Sequence, residues 1–502
     1  MKMHILSKAS KKKDIFFFLL PIFFVFISFL VHGYPFGTGD QVIHLPIIEK
    51  ISDNSSFNSD YIFTSGQEEY SLFYPFVATS IRLTGLRRET FFFIGSLIIN
   101  ISFYFVLFLF GKKYFSHRLF PLFFLGLFYI FPFFVGGSAV QSIDINFVPR
   151  WIAFVLSLYC FYWLIDKRLL LFAIFMPLVF SIHPLTFLHF SIIMIFYIFL
   201  NKLYKKISLV HVAFFLFTFI GINHVLVTSF FQNLSLNGVS TVSKDQWIAI
   251  LRDRNRYAFL DLWNWKDWLS ISVPIFFLSA FSYRGRKKNQ EILLLTIAIL
   301  GSFMIAIAIQ LAGASWLASP YIVQLQLARI GVYVFFATAL ACSYSFSRLK
   351  IEKQLIIMAL AVLLLLGKWV YLGKTTFSTQ NTQWVDIQEW SQKHTSPDCI
   401  FLTPLDLEGF RVYSKRSPVI ENKDGTLSFY SPRFAVEWYQ RKRNLNEWEK
   451  KSPVDLENLQ KHYHFSYLIS TKEYILPFSR LYENNGYVLY AMPKAEESCH
   501  VI

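Results

Sequence analysis

The sequence predicts a mostly α-helical polytopic membrane bundle of about eleven helices, followed by a C-terminal extracytoplasmic α/β domain. Three observations carry this. The 502 residues are 54% hydrophobic and include 58 Phe, more large apolar side chains than a water-soluble chain can cover. Several apolar runs reach the roughly 18 residues that a membrane span needs. The character then changes near residue 374, where apolar runs shorten and helices turn amphipathic.

The expected spans are 14–32, 90–110, 118–135, 150–165, 169–182, 185–200, 207–229, 268–283, 291–311, 322–345 and 354–373. The N-terminal stretch has a basic start like a signal peptide. Its apolar run is too long and lacks a clear cleavage site, so it reads as a retained first helix. Net charge is +16, and the basic residues cluster in the short segments "MKMHILSKASKKK", "GKKYFSHR", "DKR", "NKLYKK", "YRGRKKNQ" and "SRLKIEKQ". Loops of this kind stay cytoplasmic, so the charge sets topology and does not point to nucleic acid. The alternation puts the N-terminus inside, and loop 33–89, loop 136–150, loop 230–267 and the tail from 374 outside, as in a bacterial plasma membrane protein. Pro184 disfavours helix at His183, which separates spans 169–182 and 185–200.

The bundle is thus expected over 1–373 and the α/β domain over 374–502. In the tail, "CIFLTP", "FSYLIS" and "GYVLYAMP" suit buried strands, while "TQWVDIQEWSQKH" and "SPRFAVEWYQRKRNLNEW" suit amphipathic helices. Cys399 and Cys499 both lie in this tail, and an extracytoplasmic location leaves a disulfide between them open.

No nucleotide-binding glycine loop, HExxH or CxxC pair is present, so any chemistry rests on polar residues near the outer face. Asp40, in "GTGDQVIH", follows Gly37 and Gly39, which permit a tight turn. It reads either as a helix N-cap or as a catalytic carboxylate, on one helical face with His44. Pro46 should limit that helix or start another. Glu68 and Glu69, adjacent and so on different faces, are substrate-binding candidates. The stretch 70–86 reads equally as an interfacial amphipathic helix or a packed loop helix. His183, at a helix break, suits a phosphate, a sugar hydroxyl or a metal, or is a satisfied core histidine. Arg329, inside an expected span, needs an acidic or phosphate partner. Arg252, Arg254 and Arg256 either hold a lipid phosphate or form a solvated loop with Asp253 and Asp261.

The order "GTGDQ" after the first span, "HPLTF", and a tail containing "FLTPLDLEGFRVYSKRSPVIENKDG" resembles the GT-C superfamily of membrane glycosyltransferases, specifically bacterial members of unassigned function. The resemblance spans most of the chain. It implies transfer of a sugar from a polyprenyl-phosphate-linked donor to a glycan, lipid or protein acceptor at the extracytoplasmic face. Asp40 would be the base, with Arg329 or the Arg252–Arg256 group at the departing phosphate and His183 positioning phosphate or sugar. The chain departs from relatives that carry a paired Asp-Glu, because Gln41 follows Asp40; the His-Pro-Asp-Glu and WWDYG-like signatures are also missing. No sequence pattern indicates a metal site, and a divalent metal is left open. Two other classes remain: a non-catalytic cell-envelope assembly protein, and a transporter or flippase, which the lack of internal symmetry disfavours.

Overall fold

A computed structural model describes residues 2–53, 55–115, 119–130, 132–237, 242–285, 290–371, 381–493 and 499. The protein is mostly helical, 72% by residue, with one small C-terminal sheet. In chain order the first helices are α1 (Lys2–His32), α2 (Gln41–Ser52), α3 (Phe73–Thr84), α4 (Arg88–Tyr114), α5 (Leu119–Ile130), α6 (Pro149–Ile165) and α7 (Leu169–Ile182). Next come α8 (Pro184–Leu200), α9 (Leu209–Asn237), α10 (Lys244–Arg254), α11 (Trp265–Gly285), α12 (Gln290–Gln310), α13 (Pro320–Leu325), α14 (Gly331–Phe346) and α15 (Ile351–Tyr371). The last are α16 (Thr382–His394), α17 (Phe410–Ser414), α18 (Pro432–Asn444) and α19 (Pro453–Tyr463).

The chain divides into two compact units. The first comprises 1–34, 89–224 and 257–377. Every expected span overlaps a helix of this unit. Among the described residues, however, three stretches are long and apolar enough to cross a membrane: Arg88–Tyr114, Gln290–Trp316 and Pro320–Phe346. Shorter apolar helices include Pro149–Ile165 and Leu169–Ile182. Many large apolar side chains of the unit stay exposed, among them Phe26, Ile98, Phe199, Phe276 and Leu364, whereas Phe103, Phe154, Phe161 and Tyr333 form its interior. An apolar exterior around a packed aromatic interior is what a lipid-solvated bundle presents.

Two breaks interrupt the helices of this unit. The one expected at Pro184 is present: α7 ends at Ile182, His183 is extended, and Pro184 opens α8. The stretch expected as one span over 322–345 is interrupted. Gln326 adopts the left-handed region at φ 45°, and a 3-10 turn over Leu327–Ile330 separates α13 from α14. The cause is a side chain: buried Gln310 accepts the Leu327 N–H at 2.8 Å and donates to the Ala258 carbonyl at 2.6 Å, replacing helical bonds at the break.

The second unit comprises 35–88, 225–256 and 378–502, so the first loop and a mid-chain segment pack with the C-terminal residues. Its five-stranded sheet has the strands β1 (Ile400–Leu402), β2 (Ser417–Pro418), β3 (Tyr467–Thr471), β4 (Ser479–Glu483) and β5 (Tyr487–Ala491), in the order β2-β1-β3-β5-β4. The β2–β1 and β1–β3 pairs are parallel, and β3–β5 and β5–β4 are antiparallel. Trp384, Ile387, Phe401, Phe410, Tyr467 and Leu489 fill the core beside a Cys399–Cys499 disulfide. Helix α2 runs through Pro46 to Ser52, although a proline at that position forfeits one helical bond. Its residues 41–49 are all buried, and this burial outweighs the lost bond.

Candidate functional site

In the first unit, the loop between α5 and α6, the first turns of α6 and α8, and the start of α14 enclose a cavity. It is lined by Asp144, Arg150, His183, Thr186, His189 and Arg329, with Trp151, Phe154 and Tyr333 among its apolar walls. Thus His183 and Arg329, 146 positions apart in sequence, line one cavity. Each is held by local chemistry. The loop is pinned by Val135 N–H on the Val140 carbonyl (2.9 Å) and Ser142 N–H on the Phe133 carbonyl (2.8 Å). Gly136, at φ 57°, and Gly137 lie against the Trp263 ring so closely that a Cβ on either would fall within 2.8 Å of it.

Asp144 is fixed from both oxygens: Oδ2 pairs with Arg150 at 2.9 Å, and Oδ1 accepts the Asn146 N–H at 3.0 Å. Both members of the pair are about one-fifth exposed (20% and 23%). His183 caps α8, its Nδ1 accepting from the Thr186 backbone at 3.1 Å and sitting 2.8 Å from the Thr186 hydroxyl. With Nδ1 accepting, the neutral ring carries its proton on Nε2. His189 Nε2 lies 2.8 Å from the Leu325 carbonyl, to which it donates. Arg329 donates from Nε to the Ser138 carbonyl at 3.4 Å and lies over the Tyr257 ring at 5.1 Å. Two guanidinium groups against one carboxylate leave this wall with a net positive charge, His183 Nε2–H adds a donor, and guanidinium geometry favours phosphate oxygens. Among the described residues, no group of three or more His, Cys, Asp or Glu could hold a metal.

Sequence reasoning reached His183 and Arg329 through their charge in apolar surroundings. It missed Asp144, Arg150 and His189. The "SIDINFVPR" segment carried the signal for the first two, an Asp and an Arg six apart in an outer loop.

The remaining candidates belong to the second unit. Gly37 (φ 70°) and Gly39 (φ 59°) form the expected turn before α2. Asp40 occupies the N-cap position, but its side chain makes no capping bond; its carboxylate, about a third exposed, pairs with Lys423 at 3.3 Å. His44 is buried, with Nδ1 3.0 Å from the Tyr74 hydroxyl, which also accepts from Gln67 at 2.8 Å. Tyr74 is pushed well above the ordinary phenol range, by burial first and then by the negative charges of Tyr430, Glu68 and Asp40. Burial, with Glu69 beside it, raises the Glu68 carboxyl; Glu69 is exposed. Arg254 donates to the Asn422 carbonyl at 3.0 Å, Arg252 is half-buried and Arg256 is exposed, so the three do not form one cluster of like environment.

A buried ionic centre that the sequence did not single out also lies in this unit. Arg411, inaccessible to solvent, meets Asp60 (2.6 and 3.0 Å), Glu421 (2.9 Å) and Asp424 (2.9 and 3.1 Å). Tyr61 donates to Asp424 at 2.8 Å, and the Phe410 N–H donates to Glu421 at 2.6 Å. Burial pushes Glu421 up to about 8, with Arg411 opposing and Asp424 adding to the shift.

The family described as a domain of unknown function, DUF6798, matches residues 382–445, a span that contains Arg411, Glu421 and Asp424. No curated protein matches the chain.

Proposed function

We propose that the protein is a GT-C-like integral-membrane glycosyltransferase, which moves a sugar from a polyprenyl-phosphate-linked donor to an acceptor hydroxyl at the extracytoplasmic face. The observation that supports the reading is the meeting of His183 and Arg329 with Arg150 in one cavity of the apolar unit. A positively charged wall in an apolar bundle suits a lipid-linked phosphate, which brings both a hydrocarbon chain and an anion.

In the reaction, the acceptor oxygen forms a bond to the anomeric carbon as the bond from that carbon to the phosphate oxygen breaks. The electron pair leaves with the phosphate, whose charge Arg329 and Arg150 neutralise while His183 Nε2 donates a hydrogen bond. The acceptor proton passes to a carboxylate. The resemblance assigns that role to Asp40; Asp144 is the carboxylate of the cavity itself. The bundle topology, with the N-terminus cytoplasmic and the C-terminal segment outside, draws support from the basic loops and from a disulfide of the kind that persists in oxidising compartments.

The test is binding of farnesyl phosphate to the purified full chain. Arg329→Ala should weaken it about 10- to 100-fold, the equivalent of one charge-assisted hydrogen bond. Unchanged binding overturns the phosphate role. Sugar transfer from a polyprenyl-phosphate donor in membranes should fall with the same variant, and retained transfer by it overturns the catalytic reading.

A further inference from the structure

Sugar transfer from a lipid phosphate changes the charge of that phosphate. The donor is a phosphodiester and carries one negative charge. As the bond from the anomeric carbon to the phosphate oxygen breaks, the electron pair stays on that oxygen, and the acceptor proton goes to the base. The product is a phosphate monoester, whose second ionisation at about pH 6 makes it a dianion at neutral pH. A cavity that holds this dianion too well keeps its product, and product release limits many enzymes.

The charges of the cavity in the first unit suit the donor and not the product. The charged side chains on its wall are Arg150, Arg329 and Asp144. With the imidazoles of His183 and His189 neutral, two guanidinium groups against one carboxylate leave a single positive charge. The carboxylate stands beside the place where a phosphate would bind: Asp144 Oδ2 is 2.9 Å from Arg150, so a phosphate on that guanidinium has Asp144 as its neighbour. It is also fixed there. Its Oδ1 accepts the Asn146 N–H at 3.0 Å, and both members of the ion pair are largely buried, where salt screens them weakly.

We propose that Asp144 sets the charge of the cavity to match the monoanionic donor and repels the dianionic product, so that the spent lipid phosphate leaves. This role rests on the lipid-phosphate reading of the cavity. It makes Asp144 a positioning residue, acting on the ligand through Arg150 and by its own charge. Without the carboxylate the wall carries two positive charges and matches the product instead. The gain then scales with ligand charge, about 10-fold for the monoanion and about 100-fold for the dianion at the effective dielectric of partly buried groups.

The experiment measures binding of two probes to the purified full chain at pH 8: farnesyl phosphate, a dianion, and its methyl ester, a monoanionic phosphodiester. The wild-type protein should bind the methyl ester at least as tightly as farnesyl phosphate. Asp144→Asn, whose amide oxygen still accepts from Arg150, should tighten farnesyl phosphate about 100-fold and the ester about 10-fold. Asp144→Ala should move the ratio of the two affinities in the same direction. A purely structural role would change both probes alike and leave the ratio where it was. An unchanged ratio in both variants overturns the proposal, as does wild-type protein that binds farnesyl phosphate 10-fold more tightly than the ester. Neither result touches the phosphate reading if Arg329→Ala still weakens binding. A wild-type chain that binds neither probe overturns both.

Discussion

Arg411 is the centre of the second unit's buried ionic network. One guanidinium meets three carboxylates at zero exposure, and removing it would strand them without water or counter-charge. Arg411→Ala should cost about 3–5 kcal/mol, read as a lowered midpoint in denaturant. Arg411→Lys should also destabilise, since an ammonium cannot reproduce the paired bonds to Asp60 and Asp424. The same centre sets a pH dependence. Glu421 is held above its ordinary value, near about 8, by burial first, so the folded state binds its proton more tightly than the unfolded one. The stability it contributes is complete below the ordinary glutamate range and is lost as pH rises toward about 8. Unfolding free energy should therefore fall between roughly pH 4.5 and 8, and Glu421→Gln should flatten that slope. None of this was legible in sequence, because Asp60 and Arg411 are 351 positions apart and no local pattern links them.

At the scale of elements, legibility followed the strength of the local signal. The break at Pro184, the helices α16 and α18, and the strands β1, β3 and β5 lie where periodicity and proline placed them. Strand β4, "SRLYE", escaped because it is a half-exposed edge with charges at both ends. The interruption at Gln326 escaped because its cause, Gln310, lies on another helix. Gln310→Leu removes both bonds, so it should release the Arg329 turn. Such a variant should weaken farnesyl phosphate binding while leaving the helix content seen by circular dichroism unchanged. The Cys399–Cys499 bond closes a 100-residue separation between β1 and the chain end. Replacing both cysteines by Ser should cost about 2–5 kcal/mol, measured as the difference in thermal or denaturant midpoint.

For the whole molecule, composition alone announced a lipid-solvated chain, and three strongly apolar stretches agree with a membrane protein. Passage count and orientation rest on the basic loops. Alkaline phosphatase fused after Ile502 should be active in a bacterial host, and the same enzyme fused within 286–289 should be inactive. The reverse pattern overturns the orientation. Of the polar groups that line the cavity, sequence singled out His183 and Arg329 through their isolated charges. Asp144 and Arg150 sat in a segment whose polarity looked ordinary until the fold gave it neighbours, and His189 lay unremarked inside an apolar helix.

The ionic centre also imposes an order in time. Asp60 leaves the ribosome about 350 residues before Arg411, which at roughly 5–20 residues per second is a delay of about 20–70 seconds. Through that interval most helices of the first unit are being made, while the first loop holds a carboxylate whose partner does not yet exist. Residues 35–88 therefore reach their final packing only once residues 378–502 have been made.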